Sequence, residues 1–496
     1  MISTADTIPS SARTQFASIA AACLLAAAPA LAQNSIAPGD EALRHHLQLL
    51  ADEGIIDTLG TTWPLSDKEI AFSIASVNAD ELNPAQSHSL QALQQRLANA
   101  ATSSIVVQYG NDRQELRGFA DDFREQGELR FKASEQVGLF TFHLEASAVD
   151  KPLDDKEFRL DGSYVSIDWE NWQLGAGAVD HWWGPGWQSS LILSNNARPS
   201  PGIFLNRNTT QAFDFPVLRK LGPWSFSAFA NQLESDRHVP HAKLLGARFT
   251  FKPIASLEVG LTRTAQWGGE GRPESFDSLV DLILGNDNVG DDGIELDGSN
   301  EPGNQLGGID LRWTTRIAEQ PVTFYGQLIG EDESGGLPSR KIALFGIETT
   351  VANDWSNGRV FLEASDTTMD FLDDRFANGT YNHSQYLSGY RYRGNVLGAS
   401  TDNDSRMLTF GGFHEIGAAN SLTWKAQYAS LNRDGSPGRN TIASSHQQTA
   451  ILSAKIERKL NEQLSLGLNA THLLKDVSPD TRLPKSSIQI ALTILN

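Results

Sequence analysis

Cysteine is nearly absent: the 496-residue chain holds one, Cys23. It falls in a segment read below as a removed leader, so the rest of the chain has no disulfide and no thiol chemistry. Long apolar runs are also missing. Beyond residue 32 nothing approaches the ~18 consecutive apolar residues that a membrane-crossing helix needs. Positive charge is scarce, with 40 Lys and Arg against 60 Asp and Glu and a net charge of −20. No basic cluster is left to neutralise phosphates, which excludes nucleic acid as a partner. Mean hydropathy is −0.31. That value does not exclude a membrane barrel, whose alternating strands average out.

At the N-terminus, Arg13 precedes the apolar run "FASIAAACLLAAAPALA", and Ala30-Leu31-Ala32 is an A-x-A cleavage pattern. Residues 1–32 are therefore expected to be a secretory signal peptide, with the mature chain beginning at Gln33. From there to about Ala101 the apolar period is helical. Leu43, Leu47 and Leu50 recur at one face, as do Ile70, Ile74 and Val77, then Leu90, Leu93 and Leu97. Ser66-Asp67-Lys68-Glu69 reads as a capping box and Asn83-Pro84 as an N-cap followed by proline at N1. Residues 33–101 are thus predicted to form a small helical bundle of three helices. His45 and His46 are adjacent on the first helix and do not share a face, so no metal pair is expected there.

After Ala101 the period changes to two and stays there. Phe140, Phe142, Leu144 and Ala146 alternate with Thr141, His143 and Glu145; Ile309, Leu311 and Trp313 alternate with Asp310 and Arg312; Ile488, Ile490, Leu492 and Ile494 close the chain in the same way. Trp224–Ala228, Leu245–Phe251 and Leu257–Leu261 follow the same rule. A soluble sandwich would alternate too. The leader, the missing cysteine and the unbroken strand pattern favour an all-β transmembrane barrel over residues 102–496. At roughly 20–22 residues per strand and connection, it should have about 18 antiparallel strands. "SYVSIDW" and "WQLGAGAV" are joined by the tight turn Glu170-Asn171, while the connections on either side are long. Short turns face the periplasm and long loops face outward. Both ends of the mature chain and the bundle should then be periplasmic, the loop Gly269 to Asn304 extracellular, and Trp182 to Arg198 at the extracellular end or folded into the lumen from there.

The stretch "DHWWGPGWQSSLILSNNARP" carries three of the chain's 11 tryptophans, Trp182, Trp183 and Trp187, around Gly184-Pro185-Gly186. Proline removes a ladder donor and glycine packs nothing, so the segment is irregular. Together with "RTAQWGGEGRP", "LGNDN", "EPGNQLGGIDLR", "YNHSQYLSGYRYRGNVLG" and the N-terminal "LQLLADEGIIDTLGTTWPLS", this block resembles the Wzi-type capsule-assembly proteins of the bacterial outer membrane. The resemblance covers nearly all of the mature chain. It implies an outer-membrane barrel of about 18 strands preceded by a periplasmic helical bundle. The implied role is lectin-like, non-enzymatic binding of capsular or exported polysaccharide, helping capsule or exopolysaccharide assembly and attachment at the surface. Outer-membrane lipid would surround the barrel, and export machinery would be a further partner.

Under that reading Trp182, Trp183 and Trp187 would stack on sugar rings, with Asn195, Asn196 and Arg198 bonding the hydroxyls. The competing reading makes the tryptophans packing for a plug or interfacial residues. Arg391 and Arg393, interleaved with tyrosines in "YLSGYRYRG", would pair with acidic sugars; the alternative is arginine in a polar lumen. The connection Gly269 to Asn304 holds ten acidic residues and one arginine. Asp287, Asp291 and Asp292 are hard oxygen ligands at close spacing, but the spacing does not fit an EF-hand loop, and a solvated surface loop is expected, with no metal and no cofactor. Asp168 and Glu170 stand a strand length from Trp182, too far to form a carboxylate pair with Asp180. His238-x-x-His241 brackets Pro240 with no helical metalloprotease pattern. The runner-up functions are a porin-like diffusion channel, lined by the polar strand face, and a scaffold for envelope assembly complexes.

Overall fold

The computed structural model of the chain describes residues 35–99, 101–120, 123–284, 303–334, 337–353, 356–371 and 378–496. The expected leader, 1–32, and the acidic residues Asp287, Asp291 and Asp292 lie outside the described residues. Eighteen antiparallel strands close into one barrel. In chain order they are β1 Ser103–Gly110, β2 Gly127–Val137, β3 Phe140–Asp150, β4 Tyr164–Trp169, β5 Trp172–Gly177 and β6 Gly202–Arg207, then β7 Trp224–Gln232, β8 Lys243–Ile254 and β9 Leu257–Trp267. The second half holds β10 Gly303–Ile317, β11 Gln320–Ser334, β12 Leu337–Asn353, β13 Ser356–Asp366, β14 Arg406–Ile416, β15 Asn420–Leu431, β16 Gln447–Lys459, β17 Leu464–Leu473 and β18 Ser486–Leu495. β18 closes on β1, with Leu492 opposite Val107. Closure leaves the wall without an unpaired edge, the condition for a sheet to sit in lipid.

The alternation is turned inside out relative to a soluble protein. Phe140, Phe142 and Leu144 face outward and exposed, whereas Thr141 and His143 between them are buried. Ile309, Leu311 and Trp313 are exposed while Asp310 and Arg312 are buried, and Ile488 and Ile490 flank buried Gln489. Apolar side chains on the outside and charged ones within are what a bilayer outside and a polar lumen inside select. The connections sort by length. At one end lie tight links such as Glu170-Asn171, where Trp169 pairs with Trp172, and Ala318-Glu319, where Ile317 pairs with Gln320. One connection at that end, 208–223, is long and carries a single 3-10 turn, Leu218–Leu221. The connections 111–126, 151–163, 178–201, 367–405 and 432–446 all leave the opposite end.

Before β1 come helices α1 (Glu41–Asp52), α2 (Asp67–Ile74) and α3 (Pro84–Ala98). Asp40 caps α1 by accepting from the Leu43 amide at 2.9 Å. Asn83 and Gln86 form the reciprocal capping box of α3, with Pro84 just inside. The box expected at Ser66 forms only by half: Ser66 accepts from the Lys68 amide, but the Glu69 carboxylate turns away to the Thr210 amide, at 2.7 Å, and to Thr58. A partner on the barrel connection outbids the helix's own terminus. The helices share one apolar core with Phe119 and Trp182 from the connections that fill the lumen, so they do not hang free of the barrel.

Wall charges lock this segment in place. Asp52, at the end of α1, takes two bonds from Arg312 on β10, at 2.7 and 2.9 Å, and one from Arg359 on β13 at 2.9 Å. Both arginines also reach Glu348 on β12. Glu258 on β9 accepts from the Gly60 and Thr61 amides, and Arg248 on β8 holds Thr61, Thr62 and Asp310 together. Buried charges of this density persist only where each is paired and hydrogen-bonded.

Candidate functional site

From the long-loop end, the tryptophan segment runs back into the lumen. Trp182 and Trp183 form a two-residue strand against Thr62 and Trp63 of the helical segment. The Trp183 amide donates to the Leu193 carbonyl at 3.0 Å, and the Trp183 carbonyl accepts from Gln327 on β11 and from Ser190. Arg44 of α1 donates to the Pro185 and Gly186 carbonyls at 2.6 and 2.9 Å and lies over the Trp187 ring at 4.1 Å and Phe119 at 4.5 Å. Burial pulls the Arg44 guanidinium down to about 10, which leaves it charged at neutral pH. After Gly186 the chain turns so tightly that a Cβ there would clash with the Ser189 carbonyl oxygen. That turn aims three successive amides at one carboxylate: Trp187, Gln188 and Ser189 all donate to Glu363 on β13, at 2.7, 3.3 and 2.8 Å. The Trp187 indole N–H donates to Glu348, tying the plug to the Asp52 network.

The three rings are therefore core. Trp182, Trp183 and Trp187 are 1, 0 and 3 % exposed, and Phe119 packs edge-on to Trp182 and Trp187. The Gly-Pro-Gly break does release the segment from the ladder, as expected, but it turns the rings toward α1 and the wall and not toward solvent. Asn195 and Asn196 are buried too. Their side chains donate to Phe119 and Val396 carbonyls, and their own carbonyls accept from Arg117, with Arg124 also on Asn195. Arg391 makes a bidentate pair with buried Asp402, at 3.0 and 2.7 Å, and holds the carbonyls of Tyr381, Ser388 and Arg439. It closes the loop Tyr381 to Gly398 over the plug. Tyr381, fully buried, donates to the Leu191 carbonyl from the same loop.

Arg198 and Arg393 lie elsewhere, at the long-loop mouth. Arg391–Tyr392 and Asn395–Val396 pair as a minimal hairpin. Arg393 and Gly394 occupy its two central positions with φ of 47° and 81°, the left-handed pair that such a turn requires. The hairpin projects Arg393 onto Asp154 at 3.2 Å. Arg198 reaches the same Asp154 and makes a bidentate pair with Asp161, at 2.6 and 2.9 Å. Arg159 adds a third guanidinium on Asp154 at 3.2 Å and binds Glu125 at 2.6 Å. Burial raises the Asp154 carboxyl, but Arg198, Arg159 and Arg393 outweigh it and hold it below its ordinary value. Guanidiniums and carboxylates alternate here within hydrogen-bond reach of one another. Arg159, Arg198 and Asp154 are largely buried in these pairs, while Arg393 and Asp161 keep side chains 25 and 19 % exposed and offer a donor and an acceptor to hydroxyl groups.

Small cavities remain between plug and wall. Among the described residues, two cavities between plug and wall measure about 50 Å³ each, enough for a few waters. One is lined by Arg124, Glu128, Arg130, Lys132, Glu145 and Arg159, directly under the charged mouth. The separation of candidate carboxylates expected from the strand length is seen: Asp168 pairs with Lys68 at 3.0 Å at the short-turn end, and Asp180 with Arg124 at 2.7 Å at the other. His241 faces Glu270 on the surface, and no ligand cluster forms around His238 among the described residues. Sequence reasoning did not find Arg44, Glu348, Glu363, Asp154 or Asp161. Each is one charged residue in a polar strand face or loop, and only the closed barrel brings it to its partner.

An outward apolar wall, a charged lumen and a plug built from both ends define an outer-membrane β-barrel whose interior is closed by its own chain. Residues 102–478 match the family described as capsule assembly protein Wzi, and the chain belongs to that family. The barrel and helical segment superpose on the solved structure of Wzi from Escherichia coli with a TM-score of 0.83 and 28% identity, covering 94% of this chain and 100% of that one. That protein is described as an outer-membrane, carbohydrate-binding β-barrel involved in group 1 capsule assembly. An uncharacterised 55.8 kDa protein in the cps region of Klebsiella pneumoniae is 36% identical over 335 residues, which span 66% of this chain and 64% of that protein.

Proposed function

We propose that this chain is a non-enzymatic, lectin-like protein of the outer membrane that binds exported polysaccharide at the cell surface during capsule or exopolysaccharide assembly. The observation that carries the reading is the closed lumen. Among the described residues the lumen is filled from both ends by segments that share apolar cores and buried charge networks, which favours a charged face at the long-loop mouth over an open channel. The reading agrees with the carbohydrate binding described for the Escherichia coli relative. On this proposal residues 1–32 are a cleaved leader, the helical segment 33–101 and both mature ends face the periplasm, and the long loops face outward. Arg198 and Arg393, with Asp154 and Asp161, contact the saccharide. Trp182, Trp183, Trp187, Asn195, Asn196 and Arg391 hold the plug that positions them.

The test is a glycan-binding assay with the organism's own capsular or exopolysaccharide. Arg198→Ala and Arg393→Ala are expected each to weaken binding by about 1–3 kcal/mol, in the range of hot-spot side chains at interfaces. Migration on an unheated detergent gel should stay that of a closed barrel. Parental affinity in both variants would remove the mouth from the site.

A further inference from the structure

A second cluster of side chains lies at the opposite end of the barrel, where the helical segment meets the wall. His46 of α1, His88 of α3 and Glu415 of β14 come together from three elements. His46 Nε2 is 3.4 Å from one Glu415 oxygen and His88 Nε2 is 2.9 Å from the other. The three ligand atoms lie within 4.8 Å of one another. Helix packing creates the site: α1 and α3 lie side by side, so residues far apart in sequence put their rings 5.6 Å apart, centroid to centroid. His45 takes no part. As its neighbouring position on the helix requires, it turns the other way, to Asn357 on β13 at 3.2 Å.

The set has the properties of a metal centre. Two imidazoles and one carboxylate are a donor set that zinc takes with a fourth position left to water. In such a sphere the ligand atoms stand roughly 3.3 Å apart, given Zn–N and Zn–O distances of ~2.0–2.1 Å. The histidine nitrogens stand 3.4 and 2.9 Å from the two Glu415 oxygens and all three ligand atoms lie within 4.8 Å, so binding requires a contraction, which a turn of the half-exposed His88 ring would supply. His46 is buried and already oriented, because its Nδ1 is 3.2 Å from the buried Ser89 hydroxyl and Nε2 is left pointing at the cluster. A hydrogen bond to the second ring nitrogen is the usual partner of a ligating histidine. His88, with its side chain 45 % exposed, leaves an open side for entry and for water.

We propose that His46, His88 and Glu415 bind one divalent transition-metal ion of the zinc class, which clamps helices α1 and α3 to strand β14. The ion would replace two separate histidine–carboxylate contacts by three bonds to one centre. It would add a second tie between α1 and the wall beside the Asp52 network, since Glu415 lies opposite Asn357 on β13, two residues from Arg359. The site is independent of saccharide binding at the mouth.

The experiment uses the full barrel in detergent with any affinity tag removed. Zinc is titrated by calorimetry, and cobalt(II) serves as a spectroscopic stand-in whose visible bands intensify when it leaves its hydrated sphere for a four-coordinate site. One equivalent should bind at micromolar affinity or tighter. Glu415→Gln and His88→Ala should each weaken it by at least about tenfold, as loss of a supporting group alone already can. His446→Ala, at the far end, should change nothing. Hydrogen exchange in α3 should slow on adding zinc in the parent and not in Glu415→Gln. Both variants are checked for barrel closure by gel mobility, and His88 is exposed enough that its loss does not threaten folding. Binding that is absent in the parent, or that survives in a closed-barrel His46→Ala/His88→Ala double variant, overturns the proposal and leaves the cluster an ion-pair latch.

Discussion

At the residue scale, the tryptophans show how side-chain chemistry is redirected by what lies opposite. Trp187 is held by Arg44 over its face, Glu348 on its indole N–H and Phe361 stacked at 5.9 Å. Its replacement by alanine removes all three and leaves a cavity against Phe361 and Phe119. Trp187→Ala is expected to destabilise the plug by about 3–5 kcal/mol, the usual loss for a buried aromatic. Protease sensitivity of residues 35–99 and 178–201 should rise while the barrel keeps its unheated gel mobility. His181 offers a test by pH. Burial among Trp183 and Phe229 lowers its pKa from 6.5 to about 4. The unfolded loop binds a proton more readily than the folded one. The plug therefore keeps the full contribution above pH 6.5 and loses it progressively as pH falls toward 4, by about 3 kcal/mol in all. Melting of the plug across that window should lose part of its pH dependence in His181→Phe.

At the scale of elements, α1 ties the helical segment to the wall. Its amphipathic face packs on α3 and its C-terminal Asp52 is buried among Arg312 and Arg359. Removing one partner of a buried network strands the others without compensation. Asp52→Asn should therefore cost about 3–5 kcal/mol and show as faster hydrogen exchange in α1, with β10 and β13 still protected by their ladders. Unchanged exchange in α1 would mean that Arg44 and the apolar core hold the helix without Asp52. The hairpin around Arg393-Gly394 is the other decisive element. Its left-handed turn fixes where one mouth arginine stands, and "YRYRGNV" signals the turn by its glycine alone.

At the scale of the whole molecule, closure and plugging go together. A barrel of 18 strands encloses a lumen wide enough to conduct if left empty. The chain fills it with the helical segment from one end and the loops 178–201 and 378–405 from the other. In planar bilayers the full protein is expected to give no large stable conductance steps. Deletion of Asp40 to Ala101 should produce them, because it removes Trp63, Arg44 and Asp52 and leaves Trp182 unpaired. Large steps from the intact protein would require a path through the plug and would reopen the diffusion-channel reading.

The barrel was legible in residues because strand alternation is local. Phe140, Phe142 and Leu144 against Thr141 and His143 need only the period of two to show an apolar and a polar face, and Glu170-Asn171 needs only its length to mark a turn. Helix signals at Asn83-Pro84 are local in the same way. The sequence by itself also determined that Gly184-Pro185-Gly186 would interrupt the sheet, since neither residue supports a ladder. What it could not determine was direction. Whether Trp182, Trp183 and Trp187 look outward or inward depends on Arg44, Glu348 and Glu363, which lie more than 130 residues away and meet the motif only when β18 closes on β1. The same holds for His46, His88 and Glu415. Each is unremarkable in its own element, and packing of two helices against a closed wall is the physical step that makes them one site.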